Sequence, residues 1–273
     1  MCRLLGIVSS EPTAFQIVLQ EAPRSLAALS REHRDGWGIA VFESRRTSQG
    51  VEDHGWQLHK AISCAAEDQD FRRLAAAPGE VMISHVRRRT VGSVSLENTH
   101  PFHKGRWVFA HNGTIHERDY LRSSTSARRL GELRGTTDSE LFFAYLLTEL
   151  DAAGIGDAPA SPETDDVLRR ATRVTCANSS FGAVNFLLSD GAAMYAHRFG
   201  RTLFVLDRGP EDPVRESRRS RDGTVVVTHW PQQRHAVLVA SEAMTDEPWT
   251  EVAEGELLRV DRAPLPRWRR LAA

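Results

Sequence analysis

Apolar residues fill Leu4 to Val8 around a single glycine, a pattern that predicts a short buried strand over Leu4–Ser9. Phe15, Val18, Leu19, Leu26 and Leu29 then recur at helical spacing and predict a helical stretch over Thr13–Ser30. Gly36–Phe42 reads as a strand entered through a glycine-rich turn, with a hairpin partner near Trp56–Lys60 after the polar turn Ser44–Gly55. Glu67–Ala76 is a short helix that Pro78-Gly79 ends. Val81–Val86 and Trp107–His111 are strand-like, and each runs straight into a polar cluster. Thr137-Asp-Ser-Glu140 has the chemistry of a helix start, a Thr or Asp cap with acidic residues in the first turn, ahead of the apolar run Leu141–Leu150. The Gly/Ala/Pro/Ser-rich stretch Ala152–Asp165 is a connection to a further helix over Asp165–Ala177. The last third reads as strands at Ala183–Leu188, Ala192–Arg198, Leu203–Leu206, Val225–Thr228, Ala236–Ala240 and Glu256–Val260. Ser189-Asp-Gly191 is a hairpin turn, and the polar run Asp212–Gly223 a loop. There is no internal repeat. The strands pair as hairpins instead of βαβ units, so the expected class is α+β with antiparallel sheets, in one domain over residues 1–273.

Composition narrows the function classes. The 273 residues are 41% hydrophobic and 26% charged, an ordinary globular balance. The 35 cations and 36 anions leave a net charge of −1, so no basic field draws the chain to nucleic acid or anionic lipid. Lys60 and Lys104 are the two lysines among those cations, a skew we ascribe to genomic base composition. No stretch reaches the roughly 18 apolar residues of a membrane span, and the apolar run at the amino terminus is too short for a secretory signal. Cys2, Cys64 and Cys176 form neither a disulfide framework nor a zinc pattern. A soluble, reduced, cytoplasmic protein is the expectation. His100 with His103 and His111 with His116 lack metal-site spacing, so neither metal nor cofactor is expected. Cys64 and Cys176 read as core or surface thiols, and Arg128-Arg129 and Arg218-Arg-Ser-Arg221 as solvated loop residues.

Four places can carry chemistry. Cys2 becomes the first residue once Met1 is trimmed, which puts a thiol and a free α-amine on one residue. The amine has a pKa of about 7.7–8.0 and can serve as base to its own thiol; the bland reading is an ordinary terminal cysteine. His111-Asn-Gly113 ends an apolar strand, where the Asn112 amide and the Gly113 N–H can point at one developing oxyanion. The bland reading there is an Asn-Gly hairpin turn. Arg87, at a strand end, suits bidentate recognition of a carboxylate, although Arg87-Arg-Arg89 is equally a solvated face. Asp138 is either a helix cap or the anion for a substrate ammonium.

Met1-Cys-Arg, Asp35-Gly-Trp-Gly38, Ser84-His-Val-Arg87, Glu97-Asn-Thr-His-Pro-Phe102, Ala110-His-Asn-Gly113 and Thr137-Asp-Ser-Glu140 stand in one order over the first 150 residues. That ordered set resembles the class II (N-terminal nucleophile) glutamine amidotransferases. The Asp-Gly-Trp-Gly and Glu-Asn-Thr-His-Pro-Phe forms resemble the small stand-alone, YafJ-like branch, as do Ser241-Glu242, Trp249 and Glu254-Gly-Glu256 towards the carboxyl end. The resemblance implies a four-layer αββα sandwich of two antiparallel sheets, the Ntn-hydrolase fold. It implies Cys2 as nucleophile and Asn112 and Gly113 as the oxyanion hole. Arg87 and Thr90 would bind the glutamine α-carboxylate, Asp138 and the Gly113 carbonyl its α-amine, and His100 would order the loop near the pocket. Larger members often carry Arg-Trp-Ala-Thr-His-Gly where this chain has Arg87-Arg-Arg-Thr-Val-Gly92, so Arg88 and Val91 replace a tryptophan and a histidine.

The implied reaction is amide hydrolysis through a γ-glutamyl thioester, releasing ammonia and glutamate. The chain has no room for a fused synthase, so ammonia would pass to a separate synthase subunit or be released by simple hydrolysis. The ergothioneine-pathway amidohydrolase, which acts on a γ-glutamyl amide, shares the Asp-Gly-Trp-Gly element and supplies the alternative substrate reading. A catalytically silent regulatory subunit with the same fold is the alternative outside catalysis.

Overall fold

The computed structural model describes residues 2–46, 52–177, 179–209, 218–219, 225–226 and 234–271. The chain opens with β1 (Arg3–Thr13), the short helix α1 (Leu26–Ser30) and the hairpin of β2 (Trp37–Arg46) and β3 (Glu52–Ala61). Helix α2 (Gln69–Ala75) leads into β4 (Gly79–Val86), which inserts between β1 and β2. Next come β5 (Phe102–Lys104), β6 (Trp107–Ile115) and the helices α3 (Arg118–Ser124), α4 (Ala127–Gly131), α5 (Asp138–Ala152) and α6 (Pro162–Cys176). The remainder comprises β7 (Gly182–Ser189), β8 (Ala193–His197), β9 (Phe204–Arg208), a small ribbon of β10 (Arg218–Arg219) and β11 (Val225–Val226), β12 (Ala236–Ala240), β13 (Thr250–Glu251), β14 (Leu257–Asp261) and β15 (Arg267–Leu271). Two larger sheets result, with orders β13-β9-β12-β1-β4-β2-β3 and β15-β14-β8-β7-β6-β5. Every described strand pair is antiparallel.

Strand alternation builds the layers. Along β1, Leu4 and Val8 join Ile83, Val108, Ala110, Leu187 and Met194 in an apolar layer between the sheets. Leu5 and Ile7, on the other face of β1, pack with Phe15, Leu26 and Phe71 beneath the first helices. Phe109, Val184 and Phe186 of the second sheet pack with Phe142, Leu146, Val167 and Leu168 of α5 and α6. The order is helix, sheet, sheet, helix: the α+β αββα sandwich.

Several local expectations are corrected. Thr13–Ser30 is not one helix: β1 continues to Thr13, a π turn spans Ile17–Glu21, and α1 starts afresh at Leu26. Pro23 has no N–H to continue a helix, and the Ser25 hydroxyl caps the new one by accepting from the Ala28 N–H at 3.2 Å. Asn112-Gly113 is no turn, because β6 runs on to Ile115. Arg129 is not a solvated loop residue. It is buried on α4, donating to Asp151 at 2.7 and 2.8 Å and to Glu132 at 2.9 Å. Helices α3 and α4 and strands β5, β13 and β15 carry too little periodicity to be read in advance. Of the expected loop Asp212–Gly223, Arg218 and Arg219 are described, as a strand; the rest lies outside the described residues, as does the tip of the Ser44–Gly55 turn.

Two glycines of Asp35-Gly-Trp-Gly38 explain their motif. Gly36 has φ +138° and lies against Thr99, and a Cβ at Gly38 would overlap the His100 carbonyl. Trp37, between them, turns to the helical side, donating to Asp68 at 2.9 Å and meeting Phe71 edge-on at 5.1 Å. The motif is thus a seat for Thr99-His-Pro101. Gly38→Ala should lower the unfolding free energy in urea by about 1–3 kcal/mol, since the clash is with backbone. Gly131→Ala, on α4 with open space around it, should leave stability unchanged or raise it slightly.

Candidate active site

β1 lies between β4 and β12, so the residues ahead of it are held on both sides. Leu4 donates to the Ser241 hydroxyl at 3.2 Å and accepts from the Ser241 N–H at 3.1 Å, while Arg3 pairs with Glu242. Cys2 follows β1's alternation towards the inter-sheet side. Its thiol accepts from the Arg88 N–H at 3.3 Å and donates to the Arg88 carbonyl at 3.2 Å. Burial pushes the thiol pKa up, opposed by the Arg88 hydrogen bond and the charges of Arg87 and Arg3.

Arg87 is buried at the end of β4, and its guanidinium donates to the Ser93 and Val91 carbonyls, both at 3.0 Å. The loop it organises carries the exposed Thr90. Asn98, in the Glu97–Phe102 motif, ties this loop to the segment before α5. Its amide donates to the Ser93 carbonyl at 3.1 Å and accepts from the Thr136 N–H at 2.8 Å. Lys60 donates to the Leu96 and Thr99 carbonyls at 3.2 and 2.8 Å; burial lowers its pKa to about 8. His100 is buried at the loop's end with its ring 4.4 Å from His85 and 4.5 Å from Phe102. Its contacts with both rings are of packing.

On the facing sheet Asn112 is buried, and the space a Gly113 side chain would need is filled by the Ala183 carbonyl and the His111 ring. Val184, opposite Gly113, gives its N–H to Phe199, away from β6. The Gly113–Val184 pair is therefore of the non-hydrogen-bonded kind, and the Gly113 N–H and carbonyl face the other edge of β6. β5 pairs with β6 only as far as Phe109, so no described strand covers that edge at Gly113. Two residues on, the Ile115 N–H on the same edge donates to the Asp138 carboxylate at 2.6 Å. The cap of α5 is Thr137, whose hydroxyl accepts from the Glu140 N–H at 3.2 Å, and Asp138 is turned towards β6 instead. His111 sits beneath. Its Nε2 lies 3.0 Å from the Ala183 carbonyl, which can only accept, so Nε2 carries the proton and Nδ1 accepts from Ser139 at 2.8 Å. Burial lowers the His111 pKa and keeps this neutral tautomer.

Cys2 and the Arg87 loop thus meet on one sheet; Asn112 and Gly113 stand on the other, with Asp138 of α5 held against the Ile115 N–H two residues on. His85, Ser139 and Ser241 stand within the motifs without a role assigned there, and Asn185 lies outside them; a lone polar residue inside an apolar strand, as at His85 and Asn185, was the available signal. Among the described residues no group of three or more His, Cys, Asp or Glu side chains is placed to hold a metal, and no helix is long and apolar enough to cross a membrane.

The family described as glutamine amidotransferases class-II matches residues 1–266. This chain belongs to that family. It is accordingly an enzyme acting on an amide carbon–nitrogen bond. A Haemophilus influenzae protein assigned as a glutamine amidotransferase is 29% identical over 93% of this chain and 82% of its own. The γ-glutamyl-hercynylcysteine sulfoxide hydrolase of Mycobacterium tuberculosis is 26% identical over 76% of this chain and 81% of its own. The crystal structure of a predicted glutamine amidotransferase from Pseudomonas aeruginosa superposes with a TM-score of 0.63 at 24% identity, covering 99% of this chain and 100% of that one. The glutamine phosphoribosylpyrophosphate amidotransferase of Bacillus subtilis does so at 0.60 and 17% identity, covering 99% of this chain and 49% of that one. These two likenesses establish the shared fold.

The class II domain keeps unusual histidines. Burial, reinforced by the charges of Arg3 and Arg88, lowers His33 to about 4. Burial lowers His85 to about 3, with Arg87 adding to it, and His197 to about 4. In the unfolded chain each takes its proton near pH 6.5. The unfolded state therefore binds more protons below pH 6.5, so this stability is complete above 6.5 and lost as pH falls towards 3–4. At pH 5 these three residues take up roughly three protons on unfolding, part of the total that the pH slope of the urea-unfolding free energy reads. His85→Gln should remove about one of them; an unchanged slope in that variant would overturn the assignment.

Proposed function

We propose that Cys2, made amino-terminal by removal of Met1, is the nucleophile of a glutamine amidotransferase reaction. The α-amine takes the thiol proton, directly or through water, and sulfur attacks the γ-amide carbonyl of glutamine. The oxyanion is held by the Asn112 side-chain amide and the Gly113 N–H. The protonated amine returns its proton to the leaving nitrogen and ammonia departs. Water then cleaves the γ-glutamyl thioester to glutamate, restoring the thiol. Asp138 with the Gly113 carbonyl receives the substrate ammonium, and Arg87 with Thr90 its carboxylate. The observation that carries this reading is the pairing of a main-chain-docked Cys2 thiol at the head of β1 with a Gly113 N–H on the β6 edge that no described strand covers.

The same chemistry serves a second substrate reading, a γ-glutamyl amide other than glutamine. What favours it is that Arg87 already donates to the Val91 and Ser93 carbonyls, in a loop where Arg88 and Val91 stand for the family's tryptophan and histidine. The named activity of the Mycobacterium tuberculosis relative is of this kind. In either reading the chain works in the cytoplasm as one domain without cofactor; with glutamine, ammonia is released or taken up by a separate synthase subunit, and with another γ-glutamyl amide the leaving amine is released beside glutamate.

Intact mass before and after treatment with 6-diazo-5-oxo-norleucine tests the proposal. We expect loss of Met1, then one adduct that Cys2→Ala abolishes. Loss of Met1 without an adduct would move the substrate to another γ-glutamyl amide. Retention of Met1 would defeat the mechanism and leave a regulatory subunit. Asn112→Ala should lower kcat by about 10²–10³ with Cys2 still alkylated by iodoacetamide.

A further inference from the structure

The chain passes from the second sheet to the first between β8 and β9, through residues 198–203. One side chain pins that crossing. Asn185 of β7 is fully buried; its amide NH2 donates to the Arg201 and Thr202 carbonyls, both at 3.1 Å, and its carbonyl accepts from the Phe199 N–H at 3.0 Å. Asn185 stands directly opposite Asn112 in the β6–β7 register. Because Gly113–Val184 is the non-hydrogen-bonded pair, Asn112–Asn185 is a pair that exchanges main-chain hydrogen bonds. Gly200, with φ +81°, lies on Ala183, the residue whose carbonyl fills the space beside Gly113.

The far end of the crossing is tied to the other sheet. The Thr202 hydroxyl donates to the Ser241 carbonyl at 2.8 Å, and Ser241 exchanges hydrogen bonds with Leu4, two residues from Cys2. A directional path therefore runs from Asn112 through Asn185, Thr202 and Ser241 to the head of β1. Between the sheets lies an apolar layer, including Val260 and Leu258, and apolar contact is non-directional; Trp56, donating to the Arg106 carbonyl at 2.9 Å, and Arg262, paired with Glu80, tie the sheets at the starts of β6 and β4, the ends away from Gly113 and Arg87.

We infer that Asn185 is a positioning residue, a strut that sets the spacing between the Cys2 sulfur on one sheet and the Asn112–Gly113 oxyanion donors on the other. This rests on the nucleophile assignment above. Sulfur and oxyanion donors act on one carbonyl carbon, so a displacement on the order of 1 Å between the sheets costs about a hundredfold in rate.

Two variants probe the strut at different points. Asn185→Ala removes it, and Thr202→Val cuts its last hydrogen bond at an exposed, isosteric position. Both should lower kcat on the γ-glutamyl amide that wild type turns over by roughly tenfold or more, with KM changed less than about threefold. Labelling by 6-diazo-5-oxo-norleucine should slow in parallel, while alkylation of Cys2 by iodoacetamide, which needs no oxyanion hole, should stay within about twofold. Val260→Ala, which loosens the apolar layer, should lower Tm without this loss of kcat. If Asn185→Ala does not fold, Thr202→Val decides alone. Full kcat in folded Thr202→Val, or an equal loss in Val260→Ala, would overturn the inference while leaving the nucleophile intact. Wild type that neither reacts with the glutamine analogue nor turns over a γ-glutamyl amide would instead bring down the nucleophile assignment, and this inference with it.

Discussion

The apolar layer between the two sheets is the constraint on which the molecule depends. β1 and β6 face each other across it, through Leu4 and Val8 on one side and Val108 and Ala110 on the other. Each also buries its outer face under helices, through Leu5 and Ile7 or Phe109. A strand buried on both faces cannot slip by one residue without exchanging its two apolar sets. The register of β1 and β6 is therefore firm, and so is the position of whatever lies at their ends. The candidate catalytic groups are at those ends: Cys2 one residue before β1, and Asn112 and Gly113 within the final turns of β6's alternation.

Polar groups do what apolar packing cannot, which is to fix angles and distances at the rim. Arg87, Asn98 and Lys60 hold the Arg88–Pro101 loop through its carbonyls. Asp138 and His111 fix the end of β6 against α5. Burial keeps His33, His85 and His197 neutral near pH 7. Neutral rings can pack beside Arg87 and beside one another, as His85 does with His100, where imidazolium ions would repel. The interior beneath the site is thus polar in composition and uncharged in its histidines.

Much of this was legible in the sequence. Period-two and uninterrupted apolar runs located β1, β2, β4, β6 and β7. The cap chemistry at Thr137 located α5, and the ordered motifs identified the family and named Cys2, Arg87, Asn112, Gly113 and Asp138. What misled was local. Phe15 to Leu29 have helical spacing, yet Pro23 and Ser25 break the segment into two short turns. Arg128-Arg129 reads as a solvated arginine pair, yet Arg129 is held by Asp151, 22 residues away.

The sequence by itself determined which residue types are available and roughly where each strand lies, because periodicity and capping are local properties of the chain. It determined family membership for the same reason, since motifs are read in order along the chain. Only the tertiary structure decided that Asp138 turns from its helix towards β6, that the Gly113 N–H faces an edge no described strand covers, and that Asn185 reaches across to residues 199–202. Each of these is a relation between segments far apart in sequence. Such relations follow from how two sheets pack and which strand edges remain open, and the spacing of residues along one chain carries no record of them.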